Sequence, residues 1–144
     1  MNDILKIKSE KLLDFLKEQG IHATFFLVGE RVPNYPETVR REAAEGHTIA
    51  NHTYTHAFNS GLYSSVDSFM DSVNKQDQLI YEVTGIHTDI VRFPAGSYYC
   101  RYRTASIEAL AEQGYYIRID ATYDVYYEKD FDSPFDIGYL GAPD

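Results

Sequence analysis

Two histidines four residues apart, His52 and His56, bracket the polar stretch His52-Thr53-Tyr54-Thr55-His56, just after a Gly46-His47 turn. Imidazoles at i and i+4 fall on one face of a helix, and an even spacing puts them on one face of a strand, so either geometry lets both rings converge on one ion. Neutral imidazole is a preferred ligand of zinc and related divalent metals, and two such ligands make half of a tetrahedral site. The pair has an ordinary alternative: two solvated or capping histidines among the five in the chain.

Other polar residues gather where elements end. Arg92-Phe93-Pro94-Ala95-Gly96 closes one apolar run and Asp120 closes the next. The elements that must position them are readable from periodicity. An amphipathic helix is expected over Ser9 to Gln19, with Ser9 as N-cap, Leu12, Leu13, Phe15 and Leu16 as its apolar stripe, and Gly20 as its stop. The continuous apolar run Ala23 to Val28 reads as a strand covered on both faces. Helices follow over Pro36 to Glu45, Val66 to Val83 and Thr104 to Gln113, alternating with short strands over His47 to Ala50, Ile90 to Phe93 and Tyr115 to Ile119. Strand and helix alternate, which implies an α/β fold with a mainly parallel sheet and right-handed crossovers. Such sheets carry their chemistry at the carboxyl ends of the strands. His52 and His56, Arg92 and Asp120 all fall at that rim. From Asp120 onward Tyr, Asp, Pro and Gly dominate and no element is expected, so 120–144 reads as a divergent tail.

At 144 residues the chain is one domain's worth, and its 44% hydrophobic and 15% aromatic content suits a packed core. A net charge of −9 makes nucleic acid and anionic membrane surfaces poor partners. Cys100 is the only cysteine, so an internal disulfide is ruled out. No apolar run approaches the roughly 18 residues of a membrane span, and no secretory leader is visible after Met1, which leaves the compartment undetermined.

Three segments in order carry a family resemblance: Ala23-Thr24-Phe25-Phe26-Leu27-Val28-Gly29, Glu45-Gly46-His47-Thr48-Ile49-Ala50-Asn51-His52-Thr53-Tyr54-Thr55-His56, and Arg92-Phe93-Pro94-Ala95-Gly96. Together they resemble the polysaccharide deacetylases (family-four carbohydrate esterases), over roughly Ser9 to Tyr116. The resemblance implies a distorted (β/α) barrel of about seven strands. It also implies a single divalent metal, zinc as first choice, held by an aspartate and two histidines, that polarises a water and an acetamide carbonyl. An aspartate serves as general base and a late histidine as general acid, and the products are acetate and a glucosamine unit. Carried over, His52 and His56 match the histidine ligands, and Arg92 matches the arginine that holds the base by an ion pair. Pro94 shapes the groove wall, Ala95 stands where the family commonly has glycine, and Tyr98 and Tyr99 are placed to stack on a sugar ring. The ordinary alternatives are a solvated arginine at a strand end and plain loop aromatics.

Both ends depart from the pattern. The family's first motif, Thr-Phe-Asp-Asp-Gly, should fall where this chain has Asn2 and Asp3. Asp3 then takes the ligand position, and Asn2 replaces the base with an amide that accepts no proton at neutral pH. Ile4-Leu5 stands in place of the usual glycine turn. No histidine follows Tyr116; His87 is expected in a surface turn, and Asp120 and Asp124 loosely match aspartates that orient Arg92 and the acid. Two further readings stay open: an inactive homologue that binds carbohydrate or metal, and a purely structural α/β protein with incidental histidines. The chain is expected to form an incomplete barrel lacking its first strand and its last one or two. An incomplete barrel exposes strand edges, so self-association into homo-oligomers is expected. Sedimentation at micromolar concentration should show a species larger than 144 residues; a clean monomer contradicts it.

Overall fold

The computed structural model of the protein describes residues 3–29, 32–118 and 135–136. In chain order the elements are α1 (Asp3–Gln19), β1 (Thr24–Leu27), α2 (Pro36–Ala44), β2 (Thr48–Asn51), α3 (Val66–Thr84), β3 (Ile90–Arg92), α4 (Arg103–Glu112), β4 (Tyr116–Arg118) and β5 (Phe135–Asp136). The strands form one sheet in the order β4-β3-β2-β1-β5, in which β1 to β4 are mutually parallel and β5 is antiparallel to β1. Helix and strand alternate as expected, and the sheet does not close into a barrel among the described residues. No described helix is long and apolar enough to cross a membrane.

Two expectations change. Ser9 is no N-cap, because α1 begins at Asp3 and Ser9 lies within it. Ile4, Leu5, Lys6 and Lys8 tolerate or favour helix, and an acidic residue in the first turn suits the helix dipole, so the helix starts well before the cap chosen from sequence. The outer edge of β1, expected to lie open for want of a preceding strand, pairs instead with the late segment: Phe26 faces Asp136 and Leu27 faces Phe135. An unpaired row of backbone donors and acceptors recruits whatever extended chain is at hand.

Side-chain alternation divides the sheet into two faces. Phe25 and Leu27 of β1 join Leu13 and Leu16 of α1, Val39 of α2 and Ile80 of α3 in one buried cluster, with Ile49 packed against it. Val91 and Phe93 join Phe69, Met70 and Val73 of α3 and Leu110 of α4 in a second. These residues define the helix-covered face. Their neighbours Phe26, Ala50, His52 and Arg92 therefore project from the other face, which in a closed barrel is the interior. A one-residue slip in register exchanges the two sets.

Helix α3 is the longest element and has the clearest ends. Ser65 caps it by accepting the Ser68 N–H at 3.0 Å, and Gly85 ends it at φ +76°, a conformation that costs glycine nothing. At the amino rim of the sheet His47 has a structural task. Its buried Nδ1 accepts the Ala23 N–H at 3.0 Å, which joins the start of β1 to β2 and requires the ring to be neutral. Burial, then the nearby His22, lower its pKa.

One buried acid stands out in α2. Glu42 is 1% exposed, its Oε1 has no hydrogen-bond partner among the described residues, and burial raises its pKa well above the ordinary carboxylate range. The folded chain thus keeps a proton that the unfolded chain releases, so stability falls as pH climbs above the unfolded value. Removing the ionisable group should flatten that slope. The Glu42→Gln variant is expected to melt above wild type at pH 8, with the gap shrinking at pH 5; equal gaps at both pH values would sink this account.

Candidate functional site

The parallel register brings the expected residues to one rim. Asn51 pairs with Val91, so His52, one residue past β2, lies level with Arg92, the last residue of β3. His52 is 1% and Arg92 3% exposed. The His52 Nδ1 lies 3.0 Å from the Arg92 carbonyl oxygen. A carbonyl only accepts, so Nδ1 carries the proton, and a neutral His52 ring then presents the lone pair of Nε2, the atom a metal would use. A backbone partner of this kind fixes both the tautomer and the orientation of a ligating histidine. Phe26 lines the same face, its ring 5.4 Å from the Arg92 guanidinium and edge-on to His52.

His56 reaches His52 by neither expected route. The segment is not a helix or a strand: Thr53 sits at φ +67° and His56 at φ +55°. Two left-handed residues fold the loop back, and the two imidazole centroids stand 4.8 Å apart with their planes at 63°. A β-branched residue such as Thr53 is a true outlier there and persists only where its surroundings hold it. They do. Thr53 is fully buried, its N–H is accepted by the Asn51 side chain at 2.9 Å, and its carbonyl accepts the Gly29 N–H at 2.9 Å. Gly29 has no room for a side chain: a Cβ would lie 2.8 Å from the Tyr54 Cα and 2.2 Å from the Gln76 Oε1.

Helix α3 braces this loop from the helix-covered face. Asn51 donates to the Val73 carbonyl at 2.8 Å, Ser72 accepts the Tyr54 N–H at 2.9 Å, and Gln76 donates to the Leu27 carbonyl at 2.6 Å. Lys75 lies 3.8 Å over the Tyr54 ring. None of Asn51, Ser72, Gln76 or Gly29 stood out as a functional residue in the sequence. Only position relative to the histidines betrays Asn51; the others have no local signal, because their partners lie 18 to 49 residues away.

The second rim loop follows Arg92. Gly96 donates to the Phe93 carbonyl at 3.0 Å, closing a turn with Pro94 and Ala95 at its centre. Proline fixes a negative φ at the first central position, and Ala95 at φ +59° occupies the second, so this is a type II turn, which favours glycine there. The alanine-for-glycine departure thus carries a backbone cost. Tyr63 holds the turn by donating to the Pro94 carbonyl at 2.7 Å, backed by stacked Phe69 and Phe93. Tyr98 and Tyr99 follow in a single 3₁₀ turn, 84% and 63% exposed. Phe58 links the loops: its ring is 5.7 Å from His56 and 5.3 Å from Tyr99. Phe58 was missed in the sequence, although it lies only two residues past His56.

Other expected residues separate from this group or fall outside it. His87 is at the opposite, amino end of β3, exposed, bonded to Asp77 at 2.8 Å and stacked on Tyr81, in keeping with a surface turn. Asn2, Asp120 and Asp124 lie outside the described residues, as does the side chain of Asp3; the backbone of Asp3 opens α1. No cluster of three or more metal-binding side chains occurs among the described residues. The donor chemistry of His52 and His56 fits a divalent ion, and further ligands must come from elsewhere in the chain or from solvent.

Relief of the turn strain is measurable. A left-handed alanine costs about 1–2 kcal/mol, while glycine loses about 0.4–1 kcal/mol through its freer unfolded chain. Ala95→Gly should therefore raise the urea midpoint by an amount worth about 0.5–1 kcal/mol, and a lowered midpoint contradicts the turn assignment.

Comparison with known proteins agrees with this architecture. A peptidoglycan-N-acetylglucosamine deacetylase of Bacillus cereus is 36% identical over 86 residues, 60% of this chain and 30% of its own length. The crystal structure of a polysaccharide deacetylase from Bacillus cereus superposes with a TM-score of 0.73 at 30% identity, covering 84% of this chain and 58% of that one. A family-four carbohydrate esterase pseudoenzyme from Bacillus anthracis shares the fold, with a TM-score of 0.65 at 22% identity, over 77% of this chain and 37% of its own. The chain thus spans about a third of the curated relative and just over half of the first solved structure. The family model for polysaccharide deacetylases matches residues 2–117, most of the sequence, and the chain belongs to that family.

Proposed function

We propose that the chain is a metal-dependent hydrolase that removes N-acetyl groups from N-acetylglucosamine-containing polysaccharide of the peptidoglycan or chitin class. One observation carries this reading: two adjacent imidazoles, centroids 4.8 Å apart and one with its tautomer set by a backbone carbonyl, at the carboxyl rim of a deacetylase-family sheet. His52 and His56 would hold the ion, with zinc as first choice. Asp3 is the proposed third ligand. Its backbone opens α1, the helix that precedes β1 and packs Leu13 and Leu16 against Phe25 and Leu27. When bound, such an ion supplies Lewis-acid polarisation of an acetamide carbonyl and a more acidic water.

The remaining roles fall to the chain's own groups. Arg92, buried at the rim, is suited to hold and orient a carboxylate, and Asp120 is proposed in that role two residues past β4. Pro94 walls the groove through a turn pinned by Tyr63. The exposed rings of Tyr98 and Tyr99 offer apolar faces to a sugar, and Tyr99 is tied to His56 through Phe58. A net charge of −9 is compatible with a neutral glycan. The homo-oligomer remains part of this proposal.

A second reading is supported by Asn2, which stands at the position of the family's general base. Loss of a general base costs about two to four orders of magnitude in rate, which would leave a protein that binds metal or glycan and turns over little. Acetate release from N-acetylated glucosamine oligomers, with zinc or cobalt added, separates the two. Turnover that vanishes in His52→Ala supports the hydrolase. No acetate from wild type, with a gain of about a hundredfold or more in Asn2→Asp, supports the inactive homologue. Absence of activity in both, together with no bound metal, leaves the histidines incidental and defeats both readings.

A further inference from the structure

Four backbone N–H groups of the histidine loop have defined acceptors. The His52 N–H is accepted by Leu27 at 3.0 Å, the Thr53 N–H by the Asn51 Oδ1 at 2.9 Å, the Tyr54 N–H by the Ser72 Oγ at 2.9 Å, and the His56 N–H by the Thr53 Oγ1 at 3.4 Å. The Asn51 side chain acts on both sides of this loop. Its carbonyl accepts from the residue two ahead, an Asx turn, and its amide donates to the Val73 carbonyl of α3 at 2.8 Å. It is fully buried, and so is Thr53.

We propose that Asn51 is a positioning residue for the histidine pair: its Asx turn holds Thr53 in the left-handed conformation that swings His56 onto His52. The proposal rests on the reading of that pair as a metal site and adds the residue that sets its geometry. Three facts argue for it. Thr53 at φ +67° is β-branched and resists that conformation unaided. Without an acceptor from Asn51, its N–H is buried and unpaired, and the loop gains by opening toward a more extended course. The Thr53 hydroxyl also accepts the His56 N–H, so any shift at Thr53 moves the backbone of His56 directly. On the other face, just past β2, the His52 ring is held by the Arg92 carbonyl.

The two functions of Asn51 can be separated. Serine can still accept from the residue two ahead but cannot reach Val73, whereas alanine does neither. Asn51→Ser and Asn51→Ala should both lower the urea midpoint, since both lose the tether to α3. Zinc affinity, read by competition with a chromophoric chelator, should stay within about threefold of wild type in Asn51→Ser and fall about ten- to a hundredfold in Asn51→Ala. In metal-free protein, the imidazole ¹⁵N resonances of His56 should move in Asn51→Ala and hold in Asn51→Ser. Equal zinc affinities in the two variants, tracking stability alone, would overturn the proposal. If wild type itself binds no zinc, the functional reading fails, and the metal-free spectra still decide: unmoved His56 resonances in Asn51→Ala refute the positioning role.

Discussion

The bond from the His52 imidazole to the Arg92 carbonyl ties the ends of β2 and β3 and settles which nitrogen of the ring faces the groove. It exists only because β2 and β3 run parallel in one register, Asn51 opposite Val91, with His52 and Arg92 on the same face. That register in turn depends on the helix-covered face. Ile49 packs against the buried cluster around Phe25 and Leu27, while Val91 and Phe93 lie among the side chains of α3 and α4. Burial of these apolar residues is the driving force, and the site is what projects from the other side of the same strands.

Strain is concentrated at this rim. The non-glycine residues with positive φ among those described are Thr53, His56 and Ala95, all within the two loops that follow β2 and β3. Each has a restraint nearby: the Asn51 side chain for Thr53, the Thr53 hydroxyl for His56, and the Pro94 turn pinned by Tyr63 for Ala95. Such conformations survive where packing and hydrogen bonds over-determine them, and they collect at sites where side chains must be aimed. The face of α3 that bears Ser72, Val73 and Gln76 supplies much of that restraint from behind the sheet. Its role is architectural, yet it touches the chemistry through three hydrogen bonds.

The sequence disclosed the order of elements and the two rim motifs because both depend on local pattern. Apolar runs and helical spacing marked β1 and α3. The manner in which His56 meets His52 was not legible, since HxxxH spacing suggests a helix or a strand and nothing in the motif announces two left-handed residues. The bracing by Ser72, Gln76 and Gly29 was equally hidden, because it is made across the fold by residues of unremarkable type. Ala95 is the instructive intermediate. Its departure from glycine was visible in the residues, but only the turn around Phe93 and Gly96 shows why glycine belongs there. The start of α1 was misjudged because a plausible cap at Ser9 outweighed the helical tendency of the residues before it.

The central claim is that His52 and His56 ligate one divalent ion. X-ray absorption at the zinc edge, on protein loaded with one equivalent of zinc, tests it directly. The account predicts zinc–nitrogen scattering at about 2.0–2.1 Å with the outer-shell pattern of two imidazoles, reduced to one in His56→Ala. A spectrum with no imidazole pattern, or one that His56→Ala leaves unchanged, would contradict it.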